Sequence, residues 1–242
     1  MKKMYSVTLF FLLIGSLHSM AQADSPTYLQ EIKKELVKQW PQNRTINLVF
    51  HGHSVPSGYF RTPDVRTLDA YPHQVLKQLK ALYPYAVINC ITTSIGGENS
   101  VAGEKRFKKD VLPHHPDVLF IDYALNDRYI DKTDSVASLH KSYVAMEKMV
   151  KAALKKGIKV ILLTPSPDQK ENITDPNSRL QQFTTQLTAL AKKYNTGLVD
   201  SYATFKKQVV AGQPLATFMA QSNHPNEKGH ALIADEIMKW FK

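Results

Sequence analysis

Short apolar runs alternate along this chain with longer segments whose apolar residues recur at helical spacing, and this alternation constrains the fold most. The runs are rich in β-branched residues and too short for helices, which is typical of buried strands. They lie at residues 46–50, 85–91, 117–123, 158–163 and 197–199. Parallel neighbours in a sheet need long crossover connections, usually helices. The sequence therefore predicts an α/β fold, a three-layer α/β/α sandwich around a five-stranded parallel sheet.

The segments between the runs predict the covering helices. The clearest lie at 71–82, 135–156 and 227–241, each with an apolar stripe, and a leading helix at 26–40 stops at Pro41. The chain has 242 residues, of which 43% are hydrophobic, enough for one substantial core. A single domain over 24–242 follows.

The first 23 residues have the features of a secretory signal peptide. Lys2 and Lys3 precede an apolar core at 7–13, and small residues follow it. Cleavage after Ala21 and cleavage after Ala23 both fit. The apolar segment is too short to span a bilayer, so we expect no stable membrane insertion after signal cleavage and a secreted or periplasmic protein.

The net charge limits the classes of partner, and the cysteine count limits the covalent bonds that can stabilise the fold. The formal net charge is +10, but the lysines come in scattered pairs without interleaved aromatic residues, so no nucleic-acid partner is predicted. A basic surface is compatible with acidic partners such as anionic polysaccharide or envelope phosphates, but lysines where helices end or face water need no ligand to explain them. Cys90 is the one cysteine, so the chain forms no internal disulfide.

Four residues that follow strands or precede the last helix have complementary chemistry. Ser54 lies just beyond the first strand, where ligands collect in open α/β sheets. Acyl transfer by serine needs a base, which an imidazole such as His224 supplies, and donors aimed at the oxyanion. Gly97 can present a backbone N–H and Asn126 an amide N–H. The alternative for Ser54 is an ordinary turn or N-cap serine.

These residues lie in four blocks that resemble, in order, those of the SGNH hydrolase family, also called GDSL esterases/lipases. The blocks are 52–54, 94–100, 124–127 and 224–229. The resemblance implies a flavodoxin-like fold, Ser54 as nucleophile and His224 as base. We predict no cofactor. It also implies an oxyanion hole made by the N–H groups of Ser54 and Gly97 and the side chain of Asn126.

Three positions depart from the family pattern. His53 stands where the family usually has Asp, and Ala124 where it usually has Gly, and neither position carries the family's chemistry. The third matters more, because Gln221 stands where an aspartate normally orients the histidine. In the serine-protease template, replacing that aspartate by asparagine costs on the order of 10⁴ in rate.

Three explanations for Gln221 remain open at this point. In the first explanation, a backbone carbonyl or Gln221 itself orients His224. In the second, a carboxylate from elsewhere in the chain, such as Asp122, Glu98 or Asp200, lies within reach of His224. The third explanation is a protein that binds its ligand without turning it over.

Other polar residues near these blocks have simpler interpretations. His51 and His53 share one side of a strand, and without a third ligand we expect hydrogen-bonding histidines and no metal. His230, in the first turns of the last helix, is expected to cap or pack. Asp127 is expected to accept hydrogen bonds from backbone N–H groups.

The sequence thus predicts a secreted serine esterase that cleaves a small acyl ester. We expect the substrate to be bound by Tyr59, which offers a ring for stacking, and by Arg61 and Arg128, which offer cations for a polar or acidic group. These side chains favour an acetyl ester of a carbohydrate, either a small molecule or a polysaccharide. Tyr59 could alternatively seal the core under a long loop. The alternative functions are a lysophospholipase or thioesterase of the same family and a non-catalytic glycan-binding protein on the same fold.

Overall fold

The computed structural model describes residues 23–242, and a five-stranded parallel sheet forms its centre. The strands are β1 (Thr45–Gly52), β2 (Val87–Thr92), β3 (Val118–Asp122), β4 (Lys159–Leu163) and β5 (Gly197–Val199). Their order in the sheet is β2-β1-β3-β4-β5, which is the flavodoxin-like order. The predicted fold class is therefore confirmed. The predicted signal peptide lies, apart from Ala23, outside the described residues.

Alternate residues of each strand face two separate apolar layers. In β1, Ile46, Leu48 and Phe50 join the core on one face, whereas Val49 joins the core on the other. The helices are α1 (Ser25–Tyr28), α2 (Gln30–Leu36), α3 (Ser54–Ser57), α4 (Tyr71–Leu82), α5 (Ser100–Asp110), α6 (Ala124–Asp127), α7 (Ser135–Leu154), α8 (Arg179–Tyr194), α9 (Ser201–Val210) and α10 (Glu227–Met238). The first core is covered chiefly by α2, α4, α9 and α10, and the second by α5, α7 and α8. This is the predicted three-layer arrangement.

The leading helix differs from its prediction. The predicted single helix at 26–40 is instead α1 and α2, which ends at Leu36. Buried side chains end there too: Val37 is 62% exposed and Trp40 is 84% exposed. Because most helical stability comes from burying an apolar face, the segment beyond Leu36 has little to hold it helical. Within residues 23–242, no helix combines the length and the apolar character needed to cross a membrane.

Candidate active site

Ser54 begins the short helix α3 directly after β1, at the carboxyl end of the sheet. It is 5% exposed, and the residue before it, His53, caps the helix by accepting the N–H of Val55 at its Nδ1, 3.2 Å away. Gly52 is required where β1 ends, because a Cβ there would lie 2.4 Å from the carbonyl oxygen of Asp122. The glycine thus lets the ends of β1 and β3 come close together beside Ser54.

His224 contacts the Ser54 hydroxyl, although 170 residues separate them. Oγ of Ser54 lies 2.9 Å from Nε2 of His224, which is 6% exposed. The loop that holds the imidazole closes on itself, since the N–H of Ala220 donates to the carbonyl of His224 at 2.9 Å. Asn226 ends the loop and caps α10 by accepting the N–H of Gly229. A serine and an imidazole in this contact are the parts of a nucleophile and its base.

The other ring nitrogen of His224 faces two groups that favour opposite tautomers. Nδ1 lies 3.2 Å from the carbonyl oxygen of Phe60, which can only accept, and 2.8 Å from the amide nitrogen of Gln221, which can only donate. The Gln221 carbonyl is held by the N–H of Thr62 at 3.1 Å. The first explanation for Gln221, a carbonyl or the amide itself at the histidine, thus matches the contacts of Nδ1.

Burial lowers the pKa of His224 below its ordinary value, and the hydrogen bond to the Phe60 carbonyl opposes that shift. The charge of Asp168 raises the pKa of His224 by a smaller amount; this residue is 3% exposed and was not predicted to belong to the site. The Asp168 loop is joined to the histidine loop, because the N–H of Gln169 donates to the Ser222 carbonyl at 2.7 Å. Asp168 follows β4 at the same sheet edge, a position that could have identified it.

The three carboxylates considered as substitutes for residue 221 bind other groups. Asp200 caps α9 and accepts the hydroxyl of Thr164 at 2.8 Å. Glu98 is paired with Arg106, and Asp122 accepts the hydroxyl of Tyr71 at 3.1 Å. None of the three contacts His224 in the part of the chain that the structure describes. The second explanation is therefore wrong for these three residues.

Besides Ser54 in α3, the predicted oxyanion donors are Asn126 in α6 and Gly97 in the adjoining loop after β2. The amide nitrogen of Asn126 donates to the carbonyl of Glu98 at 2.9 Å, which ties α6 to the residue that follows Gly97. Gly97 is exposed and has a φ of +77°, a conformation that favours glycine. Among the hydrogen bonds of residues 23–242, none uses the backbone N–H of Ser54 or Gly97. Both N–H groups are thus free to bind a ligand oxygen.

A buried polar network supports the Gly97 loop from below. The Glu98 carboxylate accepts bonds from Arg106 and from the Tyr123 hydroxyl at 2.9 Å, and that hydroxyl also lies 3.1 Å from Nε2 of His51. Burial lowers the pKa of His51 to about 4, so its ring is neutral at physiological pH. His51 is thus a hydrogen-bonding histidine. Within residues 23–242 no three His, Cys, Asp or Glu side chains are grouped to hold a metal ion.

The two remaining polar predictions agree with the structure. Asp127 accepts the backbone N–H of Ser100, the first residue of α5, at 2.7 Å and the hydroxyl of Ser142 at 2.5 Å. His230 is fully buried, its ring stacks on Phe60 at 5.1 Å, and burial lowers its pKa to about 3. It packs under the loop that carries the Phe60 carbonyl.

The predicted substrate residues separate into two groups. The ring of Tyr59 lies 6.1 Å from that of His224, and a Cβ on Gly96 would lie 3.0 Å from the Tyr59 ring. Tyr59 therefore lies between the histidine and the loop that carries Gly97. Arg61 is exposed and lines a groove of about 630 Å³ between residues 60–66 and 217–228. Both remain predicted substrate contacts.

Arg128 requires a correction. Only 2% of it is exposed, and its guanidinium is paired with the carboxylates of Asp168 and Glu171. A cation held between two carboxylates and closed off from solvent cannot offer its charge to a substrate. Arg128 instead joins the end of α6 to the loop that carries Asp168. The sequence could not reveal this, because the partners lie 40 and 43 residues away.

Comparisons with known proteins give the family of this chain and support its fold. The family model for the GDSL-like lipase/acylhydrolase family matches residues 50–232. An acetylxylan esterase of Geobacillus stearothermophilus is 24% identical over 182 residues, which cover 70% of this chain and 79% of that protein. The crystal structure of Axe2, an acetylxylan esterase from the same organism, superposes with a TM-score of 0.69 at 23% identity, covering 85% of this chain and 95% of that one. This structural similarity supports the fold.

Proposed function

The chain belongs to the GDSL-like lipase/acylhydrolase family and is a carboxylic ester hydrolase, and we propose that it is an exported serine esterase that removes acetyl groups from a carbohydrate. The contact of 2.9 Å between Ser54 Oγ and His224 Nε2 carries the proposal. In the Nδ1–H tautomer, supported by the Phe60 carbonyl, Nε2 is free to accept the serine proton.

The proposed reaction proceeds through an acyl-enzyme. Ser54 Oγ attacks the ester carbonyl while its proton moves to His224, and the carbonyl electron pair moves onto oxygen. That oxygen is bound by the N–H groups of Ser54 and Gly97 and by the Asn126 amide. In a serine protease, one such donor contributes about 2.7–4 kcal/mol. The ester C–O bond then breaks, and the leaving oxygen takes the proton from His224. Water repeats these steps to release acetate.

Two observations support an acetylated carbohydrate as the substrate. The relative with a stated activity is an acetylxylan esterase. The ring of Tyr59 beside His224 and the exposed Arg61 offer a stacking surface and a hydrogen-bonding cation, both suited to sugars. Export is supported by Lys2, Lys3 and the apolar segment that follows them.

The test is stoichiometric labelling with a fluorophosphonate, read by intact mass, followed by an ester series. We expect one adduct, lost in Ser54→Ala and strongly slowed in His224→Ala, while Ser57→Ala on the same short helix and His140→Ala at an exposed site still label. Acetyl esters and acetylated xylan should be cleaved faster than long-chain esters. Activity that rises with acyl length would instead indicate a lysophospholipase or thioesterase, and a folded protein without an adduct would indicate glycan binding alone.

A further inference from the structure

Ser54 has an imidazole on each side. Besides His224 at 2.9 Å, Nδ1 of His53 lies 3.4 Å from Ser54 Oγ. His53 is completely buried, so the contact is shielded from water. Residue 53 was expected to take no part in the chemistry, because the family carries none there. The structure instead places a basic group in contact with the reacting oxygen.

Of the two imidazoles beside Ser54, that of His53 has a carboxylate next to its other ring nitrogen. Its Nε2 lies 3.3 Å from Oδ1 of Asp122, and the pair is 0% and 5% exposed. The two atoms are not aligned as a hydrogen bond, and neither has another partner in residues 23–242. Each is therefore the group that can compensate the other's desolvation. A carboxylate at Nε2 favours the tautomer in which Nε2 carries the hydrogen.

That tautomer leaves the Nδ1 lone pair of His53 facing Ser54. The cap contact agrees with it, because the N–H of Val55 donates to Nδ1 and therefore requires an unprotonated nitrogen. His53 accordingly has an unprotonated Nδ1, shared between the Val55 N–H and the Ser54 hydroxyl, and a carboxylate near its other ring nitrogen. These are the two features that a serine-activating histidine needs.

The two tautomers of His224 decide when His53 is needed. When the Gln221 amide donates to Nδ1, Nε2 of His224 carries the hydrogen and can only donate to Ser54 Oγ. The hydroxyl hydrogen must then point elsewhere, and Nδ1 of His53 is the acceptor within 3.4 Å. In this state the Gln221 amide donates to His224, and His224 donates to Ser54. The Ser54 hydroxyl then donates to Nδ1 of His53, whose Nε2–H faces Asp122.

We propose that His53 is a second catalytic base for Ser54, and that Asp122 is its positioning carboxylate. The proposal rests on the proposed esterase function and adds a second route to it. The Ser54 proton moves to Nδ1 of His53 as the Oγ–C bond forms and the carbonyl electron pair moves onto oxygen. The electron pair then returns to re-form the carbonyl, the ester C–O bond breaks, and the leaving oxygen takes the proton from His53. Protonation displaces the Val55 N–H, which makes this the slower route.

The experiment measures the role of His53 where His224 is absent. His53→Asn is the informative variant, because an asparagine oxygen can still cap α3 at Val55 while the base is lost. We compare fluorophosphonate labelling rates of His224→Ala with those of His53→Asn/His224→Ala and Asp122→Asn/His224→Ala, with thermal unfolding as the control for folding. A general base contributes on the order of 10²–10⁴ in rate, so we expect His53→Asn/His224→Ala to label about 100-fold more slowly than His224→Ala.

The outcomes separate the two proposals. A residual rate in His224→Ala that falls in both folded double variants supports the second base. If His53→Asn leaves the residual rate unchanged, His53 only caps α3 and the second-base proposal is overturned. The same proposal is overturned if His224→Ala labels no faster than the Ser54→Ala background. The esterase proposal survives either negative result as long as the wild-type chain labels at Ser54. If the wild-type chain does not label, the esterase proposal itself fails.

Discussion

Replacing Gln221 by Glu restores a carboxylate at the histidine without changing the length of the side chain. The amide nitrogen of Gln221 lies 2.8 Å from Nδ1 of His224, and a glutamate oxygen can take its place. The other oxygen still accepts the N–H of Thr62, which now holds the Gln221 carbonyl at 3.1 Å. Only Asn223, whose oxygen accepts the amide at 3.2 Å, must rotate to present its own NH₂ group.

The expected effect follows from the charge that His224 gains in the transition state. Two unit charges about 4 Å apart at an effective dielectric constant of about 20 interact by roughly 4 kcal/mol. Burying the new carboxylate offsets part of this, and an opposite charge at such distances typically shifts a pKa by about 1–3 units. Burial lowers the pKa of His224 in the natural chain, so the carboxylate should raise it again. Because the new carboxylate is buried, we take the lower part of that range, about 1–2 units, and each unit corresponds to about 1.36 kcal/mol, or a factor of about 10. We therefore expect kcat/KM for an acetyl ester to rise about 10- to 100-fold.

The pH profile gives the sign of the effect. The base works when His224 is neutral, so activity is lost as the pH falls through its pKa. A raised pKa must therefore move the acid limb of kcat/KM toward higher pH even as the plateau increases. Gln169→Glu is the matched control, because it adds the same charge at an exposed residue of the adjoining loop. A folded Gln221→Glu whose acid limb stays in place would refute the coupling of residue 221 to the catalytic base.

Three further changes test other parts of the site. Asn126→Ala removes a predicted oxyanion donor and should lower kcat about 10²- to 10³-fold with KM little changed; an unchanged kcat would contradict that role. Arg128→Met leaves the Asp168 carboxylate buried without its cation and should cost about 3–5 kcal/mol of unfolding free energy in denaturant titration, whereas a substrate contact would raise KM and leave stability intact. Burial raises the pKa of Asp127 to about 6, so the folded state binds the proton more tightly than the unfolded state and stability falls as the pH rises from about 4 to 6. Asp127→Asn should remove this loss, about 3 kcal/mol by the same conversion, and parallel pH profiles of stability would contradict it.

Much of the fold follows from short-range patterns in the sequence. The helix predicted at 71–82 is α4 (Tyr71–Leu82), and the strand predicted at 197–199 is β5, because period and breaker residues fix such elements locally. Parallel strands then bring their carboxyl ends to one edge. This is why Ser54 after β1 and Gly97 after β2 could be placed near one another without a structure.

The orientation of the histidine could not be predicted in the same way. The Phe60 carbonyl is a backbone group, which every residue carries, so no sequence signal distinguishes it. Its position depends on a loop that is packed by the stacking of Phe60 on His230, 170 residues further along. The pairing of Arg128 with Asp168 and Glu171 is likewise a product of tertiary packing, and an arginine beside an asparagine gives no hint of it.

The departures from the family pattern at residues 53 and 221 make sense together. An aspartate at 53 would face Asp122 across a buried gap, where two carboxylates cannot both ionise at low cost. With histidine there, Asp122 has a partner, and the carboxylate missing behind His224 is present behind the imidazole on the other side of Ser54. Since Gln221 donates to Nδ1 of His224 only when that nitrogen is unprotonated, the same amide makes His224 a poorer base and the Ser54 hydrogen available to His53. A carboxylate at 221 reverses both effects, so strong activation by His224 and a base role for His53 are mutually exclusive.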